Sequence, residues 1–215
     1  MKPFKAMTIN NTALVIIDVI NSCAHEKYEL PKVHIKFTKI RKMIPKLEKF
    51  IERYRKVFEG PIFFVKTAPW RKEYLTDNIN ELYERRHYSY YTNDISGFAE
   101  EFHKIKPQKK DIIIEKNTLD VFAIDKIINQ LNNKKIKYII ITGIFTDGCV
   151  LASIAGGFSR GYSIVVPKDL VETTDHPKRQ LLQKIFIDYT FPFLFARVCT
   201  STKLLENFAE SSMTK

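Results

Sequence analysis

The sequence predicts an α/β fold, with an open, mostly parallel six-stranded sheet between two layers of helices in a three-layer α/β/α, Rossmann-like arrangement. Six short runs are apolar throughout and rich in β-branched and aromatic residues, which is typical of strands buried on both faces. Helical periods lie between these runs, as crossovers between parallel strands require. The 215 residues, 45% hydrophobic and 27% charged, predict one globular domain over residues 1–215.

The predicted strands are recognised in chain order by apolar runs that stop at a polar or turn residue. They cover residues 13–17, 62–65, 112–114, 138–141, 162–166 and 193–198. In open parallel sheets, ligands bind beyond the carboxyl ends of the strands. Residues that directly follow these runs are therefore the candidates for chemistry.

The predicted helices follow from apolar residues that recur every three to four positions. The clearest period covers residues 35–54, where Pro45 is expected to kink or divide the helix. Shorter periods predict helices at 122–131 and 181–186. The stretch between residues 67 and 110 has no clear strand and is too long for a bare loop, so helices are also predicted at 78–86 and 95–105.

Charge and cysteine content narrow the function classes. The formal net charge is +11, which raises nucleic-acid binding as an alternative. The basic residues are mostly Lys and spread along the chain, which favours a Lys-rich solvated surface instead. No apolar run is long enough to span a bilayer. Three cysteines without a CxxC pair favour a reducing compartment, so we expect a soluble cytoplasmic protein.

Polar residues after three of the apolar runs are the candidate catalytic groups: Asp18, Lys116 and Cys149. Each alone has an ordinary structural explanation, as a cap, a solvated side chain or a small buried residue. Cys149 stands apart because the order strand, small-residue turn, Cys and helix puts its sulfur at a helix N-terminus. The helix dipole and free N–H groups there stabilise a thiolate or an oxyanion. A phosphate-binding turn is the weaker alternative, since neither GxGxxG nor Walker spacing is present. Five of the seven glycines fall in this window, at Gly143, Gly148, Gly156, Gly157 and Gly161.

Three motifs, TALVIIDVINS, IIIEKNTLDVFA and ITGIFTDGCVLASIAGGFSRGY, together resemble the isochorismatase-like cysteine hydrolases, which include nicotinamidases and N-carbamoylsarcosine amidohydrolases. The resemblance implies that Asp18 accepts the thiol proton, that Lys116 favours the thiolate, and that Cys149 attacks a small amide, imide or carbamoyl compound to form a thioester. It places the oxyanion hole at the backbone N–H groups of Phe145 and Cys149, with a cis peptide between Ile144 and Phe145. It implies no organic cofactor, and a homodimer or homotetramer.

The chain departs from the nicotinamidase pattern where that pattern holds a metal, because Pro69 and Arg71 occupy the expected ligand positions. Neither side chain is an ordinary zinc or iron ligand, so no metal site is predicted.

Isochorismatase-type ether hydrolysis stays open as an alternative, although the retained Cys149 favours amide hydrolysis. A non-catalytic basic binding or scaffold protein on the same fold is the other alternative. The aromatic residues between 67 and 93 are candidates for a pocket cover and a subunit interface. The substrate-pocket candidates are Cys23, Trp70, Phe122 and Ile144.

Overall fold

The apolar runs of the sequence form one parallel sheet. The structure is a computed structural model that describes residues 7–58, 60–84 and 91–213, with side chains described as far as Phe208. Within these residues the strands lie in the order β3-β2-β1-β4-β5-β7, and a short β6 pairs with β4. The strands are β1 (Thr12–Ile17), β2 (Ile62–Thr67), β3 (Ile112–Lys116), β4 (Tyr138–Ile144), β5 (Ser163–Pro167), β6 (Val171–Glu172) and β7 (Ala196–Cys199).

The strand order places the candidate residues at one edge of the sheet. The chain runs outward from β1 through β2 to β3, and then returns to the other side of β1 with β4. Ile17, the last residue of β1, is in register with Val65 of β2 and Gly143 of β4, and Lys116 at the end of β3 is in register with Thr67. The carboxyl ends therefore meet at the point where the strand order reverses, which is where such sheets bind ligands.

Helices cover both faces of the sheet and complete the predicted three layers. They are α1 (Asn21–Ala24), α2 (Thr38–Val57), α3 (Asp77–Glu84), α4 (Asp125–Asn133), α5 (Leu151–Ser159), α6 (Pro177–Ile185) and α7 (Ser201–Met213). One apolar cluster lies under α2 and α7, and a second lies under α4 and α5. The helix α2 contains Pro45 and is not divided there. None of the helices in the described ranges is both long and apolar enough to cross a bilayer.

The predicted helix at 95–105 is wrong. That segment holds only a 3-10 turn, Phe98–Glu100, and Gly97 before the turn adopts a positive φ of 82°. Beyond the bonds of that turn, its backbone pairs with the segment that follows β1: the Asn21 N–H donates to the Glu101 carbonyl, and the His103 N–H donates to the Val19 carbonyl, both at 2.9 Å. A tertiary pairing has replaced the local helix that the apolar spacing favoured.

The last predicted strand begins later than the sequence indicates. The strand β7 starts at Ala196, because residues 193–195 belong to a π-helical segment, Phe186–Phe195, that continues from α6. Phe191 in this segment is fully buried and its ring stacks on Phe186 at 5.7 Å. Phe186 and Phe191 therefore anchor a helical connection instead of extending the sheet.

The aromatic stretch between residues 67 and 93 is described in part. Trp70 packs against Tyr83 of α3 with ring centroids 6.1 Å apart, and Tyr83 packs against Tyr91 at 6.0 Å. The remaining basic and aromatic candidates of this stretch, Arg85, Arg86, His87, Tyr88 and Tyr90, lie outside the described residues. The predicted role of the stretch as pocket cover and interface stays a prediction.

Candidate active site

Asp18 turns away from the sheet directly after β1. Its φ is 54°, in the left-handed region that Asp tolerates better than most residues. The backbone is held on both sides, because the Asp18 N–H donates to the Val65 carbonyl at 3.0 Å and the Ile20 N–H donates to the Asp18 carbonyl at 2.8 Å. The side chain is 1% exposed. This turn fixes a buried carboxylate at the carboxyl end of the central strand.

Lys116 supplies a buried ammonium group beside that carboxylate. Its Nζ lies 2.8 Å from Asp18 Oδ2, 3.3 Å from Cys149 Sγ and 3.1 Å from the Thr118 carbonyl oxygen. These three contacts match the three donors of an ammonium group. Burial alone would lower the pKa of Lys116, but the charge of the Asp18 carboxylate, together with the hydrogen bonds to Asp18 and Cys149, outweighs burial and raises it. Lys116 therefore stays protonated.

Cys149 lies in a turn that joins β4 to α5. The turn, Thr146–Val150, contains Gly148 in a non-helical conformation with φ −134° and ψ −111°. The Phe145 carbonyl accepts hydrogen bonds from the N–H groups of Gly148 at 2.9 Å and Val150 at 3.1 Å. This local network places the sulfur just before the first turn of α5, as the sequence predicts.

The protonation state of Cys149 differs from the sequence expectation of a standing thiolate. Burial raises the pKa of the Cys149 thiol, and the nearby Asp18 carboxylate raises it further, while Lys116 opposes both. The loss of solvent around a side chain that is 7% exposed outweighs the attraction of one ammonium group. The resting site therefore holds a carboxylate, an ammonium and a thiol.

The peptide bond between Ile144 and Phe145 is cis, as the sequence resemblance implies. This bond connects the end of β4 to the turn, so that Phe145 and Cys149 occupy the two ends of the same short segment. The role of their N–H groups as an oxyanion hole stays a prediction.

The isochorismatase domain matches residues 12–202 of the chain. The chain belongs to the isochorismatase family. A curated relative from Bacillus subtilis (strain 168), named "Uncharacterized isochorismatase family protein YaaI", is 24% identical over 209 residues, which cover 93% of this chain and 99% of the relative.

Solved structures share the fold of this isochorismatase-family chain at low sequence identity. The cysteine hydrolase from Pseudomonas syringae pv. phaseolicola 1448A has a TM-score of 0.79 at 16% identity and covers 95% of both chains. The N-carbamoylsarcosine amidase from Thermoplasma acidophilum has a TM-score of 0.62 at 24% identity, over 89% of this chain and 96% of the amidase. These structures confirm the three-layer fold, and the domain match over residues 12–202 confirms the predicted family.

The four pocket candidates in this isochorismatase fold have different surroundings. Cys23, in α1, is partly buried, and its pKa is raised to about 12, first by burial and then by the Asp18 carboxylate. Phe122 and Ile144 are 1% and 0% exposed and belong to the two apolar clusters under the helices, so their described contacts are those of core residues. Trp70 follows β2 and packs on α3. A role in substrate binding stays a prediction for all four.

The structure includes the two residues, Pro69 and Arg71, that stand where the nicotinamidase pattern has metal ligands. Pro69 and Arg71 follow β2, and Arg71 Nε lies 3.4 Å from the carboxylate of Glu73. Within residues 7–58, 60–84 and 91–213, no three His, Cys, Asp or Glu side chains come together as metal ligands.

One cluster beside Cys149 in this isochorismatase-family protein was not predicted from the sequence. Asp147 in the Cys149 turn binds Arg179 of α6 through two nitrogens, at 2.6 and 2.7 Å, and accepts a hydrogen bond from the Thr173 hydroxyl at 2.5 Å. Burial would raise the pKa of Asp147, but Arg179 and Thr173 outweigh it and lower the pKa. Asp147 could have been suspected from its place two residues before Cys149, whereas Arg179 carries no local signal.

Proposed function

We propose that the protein is a cysteine hydrolase that cleaves a C–N bond of a small amide, imide or carbamoyl compound with Asp18, Lys116 and Cys149. One observation carries the proposal: a single buried ammonium nitrogen lies within 3.3 Å of both a carboxylate oxygen and a thiol sulfur that are distant in sequence. A structural ion pair would not need the thiol. A carboxylate next to a thiol supplies the base that a weak nucleophile requires.

In the proposed first step, the Cys149 sulfur is acylated by the substrate. The Asp18 carboxylate accepts the thiol proton as Sγ forms a bond to the carbonyl carbon, and the electron pair of the C=O double bond moves to oxygen. The N–H groups of Phe145 and Cys149 stabilise that oxyanion. When the oxyanion collapses, the C–N bond breaks and the proton on Asp18 passes to the departing nitrogen, which leaves a thioester on Cys149.

In the proposed second step, water hydrolyses the thioester. Asp18 accepts a proton from the attacking water, and the acid product leaves as the proton returns to the sulfur. Lys116 keeps its proton throughout, because its pKa is raised, and its positive charge stabilises the sulfur whenever the thiol is deprotonated. These groups account for every proton, so the proposed reaction requires no organic cofactor.

The proposed substrate is small because the reacting groups are nearly closed to solvent. Asp18 and Lys116 are 1% exposed and Cys149 is 7% exposed, so only a compact carbonyl group is expected to approach the sulfur. The retained Cys149, in contact with Lys116, favours amide over ether hydrolysis. The name of the N-carbamoylsarcosine amidase neighbour supports including carbamoyl compounds among the candidates.

A panel of small amides, imides and carbamoyl compounds, with ammonia and acid release as the readout, tests this proposal. We expect at least one compound to be turned over by the wild type, and Cys149→Ala to abolish its turnover while circular dichroism and the melting temperature stay near wild type. Cys199→Ala, which removes a buried thiol in the core cluster under α2 and α7, is the matched control and should retain activity. Full activity in Cys149→Ala would disprove the nucleophile assignment.

We also propose that the protein forms a homodimer or a homotetramer in the cytoplasm, through an apolar α6 surface. This surface consists of large apolar side chains between 42% and 70% exposed: Leu181, Leu182, Ile185, Tyr189, Phe193 and Leu194. At roughly 200 Å² for one fully exposed large side chain, they present on the order of 600 Å². A standard interface buries about 800 Å² per partner, so a second copy placed with its α6 surface against the first accounts for most of the area needed.

Sedimentation velocity tests the proposed assembly. Phe193→Glu places a charge on the most exposed ring of the surface and should shift the protein to monomers, because an unpaired charge is costly in an apolar interface. Ile95→Glu changes an even more exposed apolar residue outside this surface and should leave the assembly intact. A wild type that sediments as a monomer at micromolar concentration would contradict the proposal.

A further inference from the structure

The contacts of Arg179 converge on the segment that carries both predicted oxyanion donors. Arg179 lies in the first turn of α6, and its guanidinium group binds Asp147 through Nε and Nη2, at 2.6 and 2.7 Å. Asp147 is the central residue of the segment between Phe145 and Cys149. A two-nitrogen bond to a carboxylate fixes orientation as well as distance, so α6 sets the position of the middle of this segment.

The same guanidinium group also contacts the beginning of the segment. Its central carbon lies 4.8 Å from the centroid of the Phe145 ring, within the range of a cation–π contact. The Phe145 ring also packs against Phe37, with ring centroids 6.1 Å apart. The ring thus contacts both Arg179 and a core aromatic residue, and these contacts restrict the residue that carries the first predicted oxyanion donor.

The Asp147 carboxylate is bound on both oxygens by side chains from outside the segment. Besides Arg179, the Thr173 hydroxyl after β6 donates to its Oδ1, and the Asp147 side chain is only 8% exposed. A buried carboxylate that loses one partner is left unpaired and tends to move toward water. Removal of Arg179 should therefore release the segment rather than merely remove a surface charge.

We propose that Arg179 is a positioning residue that acts through Asp147 and Phe145 to hold the N–H groups of Phe145 and Cys149 in the geometry that stabilises an oxyanion. The proposal rests on the proposed function, because it assigns a role within the same site. Arg179 touches neither Asp18, Lys116 nor Cys149 in any hydrogen bond or ion pair described here, so it should affect the oxyanion and leave the generation of the thiolate unchanged.

Two thiol reagents separate these effects without knowledge of the substrate. Iodoacetamide forms an S–C bond by displacing iodide and creates no oxyanion, so its rate reports the thiol alone. Acetaldehyde forms a thiohemiacetal: Sγ bonds to the carbonyl carbon, the C=O electron pair moves to oxygen, and that oxygen takes up the thiol proton. The carbonyl oxygen then occupies the position of the oxyanion. The aldehyde dissociation constant is read from its protection of Cys149 against iodoacetamide, followed by intact mass.

We expect Arg179→Gln to weaken acetaldehyde binding at least tenfold while the iodoacetamide rate at Cys149 stays within twofold of wild type. Arg179→Lys should bind acetaldehyde nearly as weakly as Arg179→Gln, because an ammonium group keeps the charge but cannot make the two-nitrogen bond. Asp147→Asn in the Arg179→Gln background should add little, since both changes break one linkage. Lys178→Gln, on the neighbouring position of α6, is the matched control and should bind acetaldehyde like wild type.

The outcomes distinguish this inference from the proposed function. If Arg179→Gln and Arg179→Lys bind acetaldehyde as wild type does, the positioning role is refuted and the nucleophile assignment stands. If both variants change the iodoacetamide rate as much as the aldehyde affinity, Arg179 has a general structural role and the inference is likewise refuted. If acetaldehyde does not bind to wild-type Cys149 and no compound of the panel is turned over, both the inference and the proposed function fail.

Discussion

The protonated state of Cys149 leads to a prediction about Asp18 whose sign is unexpected for a catalytic base. Asp18→Asn removes the negative charge next to the thiol with little change in shape. In the native site this charge helps to raise the pKa of Cys149. Without it, Lys116 is the remaining charge beside the sulfur, at 3.3 Å. We therefore expect the pKa of Cys149 to fall, so that the thiol becomes more reactive as hydrolysis is lost.

The size of the effect follows from the two contacts that Lys116 makes. Asp18 Oδ2 and Cys149 Sγ lie within 2.8 and 3.3 Å of the same nitrogen, so they are no more than about 6 Å apart. At an effective dielectric constant of about 20, two unit charges at that separation repel by about 3 kcal/mol. This energy corresponds to a fall of about 2 pH units in the pKa of Cys149.

The expected rate change is smaller than the change in thiolate population. A fall of about 2 pH units raises the thiolate fraction at neutral pH about 100-fold. A thiolate of lower pKa is a weaker nucleophile, so the rate constant of each thiolate falls about tenfold. Iodoacetamide should therefore modify Cys149 in Asp18→Asn about tenfold faster than in wild type. Hydrolysis by the same variant should fall about 10²- to 10⁴-fold, because the proton acceptor is missing.

The assay is the pH dependence of iodoacetamide labelling at Cys149, followed by peptide mass from pH 6 to pH 10. Lys116→Gln should change the rate in the opposite direction, because it removes the charge that opposes burial. Asp169→Asn is the matched control: this carboxylate follows β5 and binds Ser201 at 2.7 Å, so its loss should leave Cys149 unchanged. Labelling of Asp18→Asn at or below the wild-type rate would refute the electrostatic reasoning.

Two further predictions concern the groups around the site. Gly143→Ala should lower the free energy of unfolding by about 3 kcal/mol or more, because Gly143 has φ +107° and a Cβ there would lie 2.1 Å from the Ile17 carbonyl oxygen. Urea unfolding measures this loss of stability. Gly97→Ala is the control and should destabilise the protein much less, because Gly97 has φ +82° with open space around the added Cβ. Burial raises the pKa of Cys199 to about 11 and that of Cys23 to about 12. In folded Cys149→Ala, therefore, neither thiol should react appreciably with iodoacetamide at pH 7, and labelling should rise only as the pH approaches these values. Rapid labelling at pH 7 without urea would contradict this prediction.

The sequence predicted the structure best where the local residue pattern and the packing between distant segments require the same residues. The runs before Asp18 and Cys149 are apolar throughout because β1 and β4 lie inside the sheet, whereas the run before Lys116 forms β3, an edge strand in which Ile113 is 43% exposed. In each case the candidate residue lies at or just beyond the carboxyl end of its strand. Parallel pairing then brings these three ends together. The fold class and the proximity of the three candidate residues could therefore be predicted without coordinates.

The features that could not be predicted depend on contacts between distant segments. Apolar spacing favoured a helix at 95–105, but the backbone of Glu101 and His103 pairs with the loop after β1, and no local pattern encodes that partner. The pairing of Asp147 with Arg179 has the same character, since the two side chains are 32 residues apart. The protonated thiol is a third case, because burial is a property of the whole packed site rather than of the residues beside Cys149.

Two different regions of the chain contact the Cys149 turn and have separate roles in the proposed mechanism. In the proposed mechanism, Asp18 and Lys116, at the ends of β1 and β3, control whether the sulfur holds its proton, whereas Arg179 of α6 contacts the Cys149 turn at Asp147 and Phe145. If proton transfer and oxyanion stabilisation are separate in this way, Asp18→Asn should change labelling by iodoacetamide and Arg179→Gln should not. Combined in one chain, the two substitutions should show the labelling rate of Asp18→Asn and the weakened acetaldehyde binding of Arg179→Gln, because independent sites give additive effects.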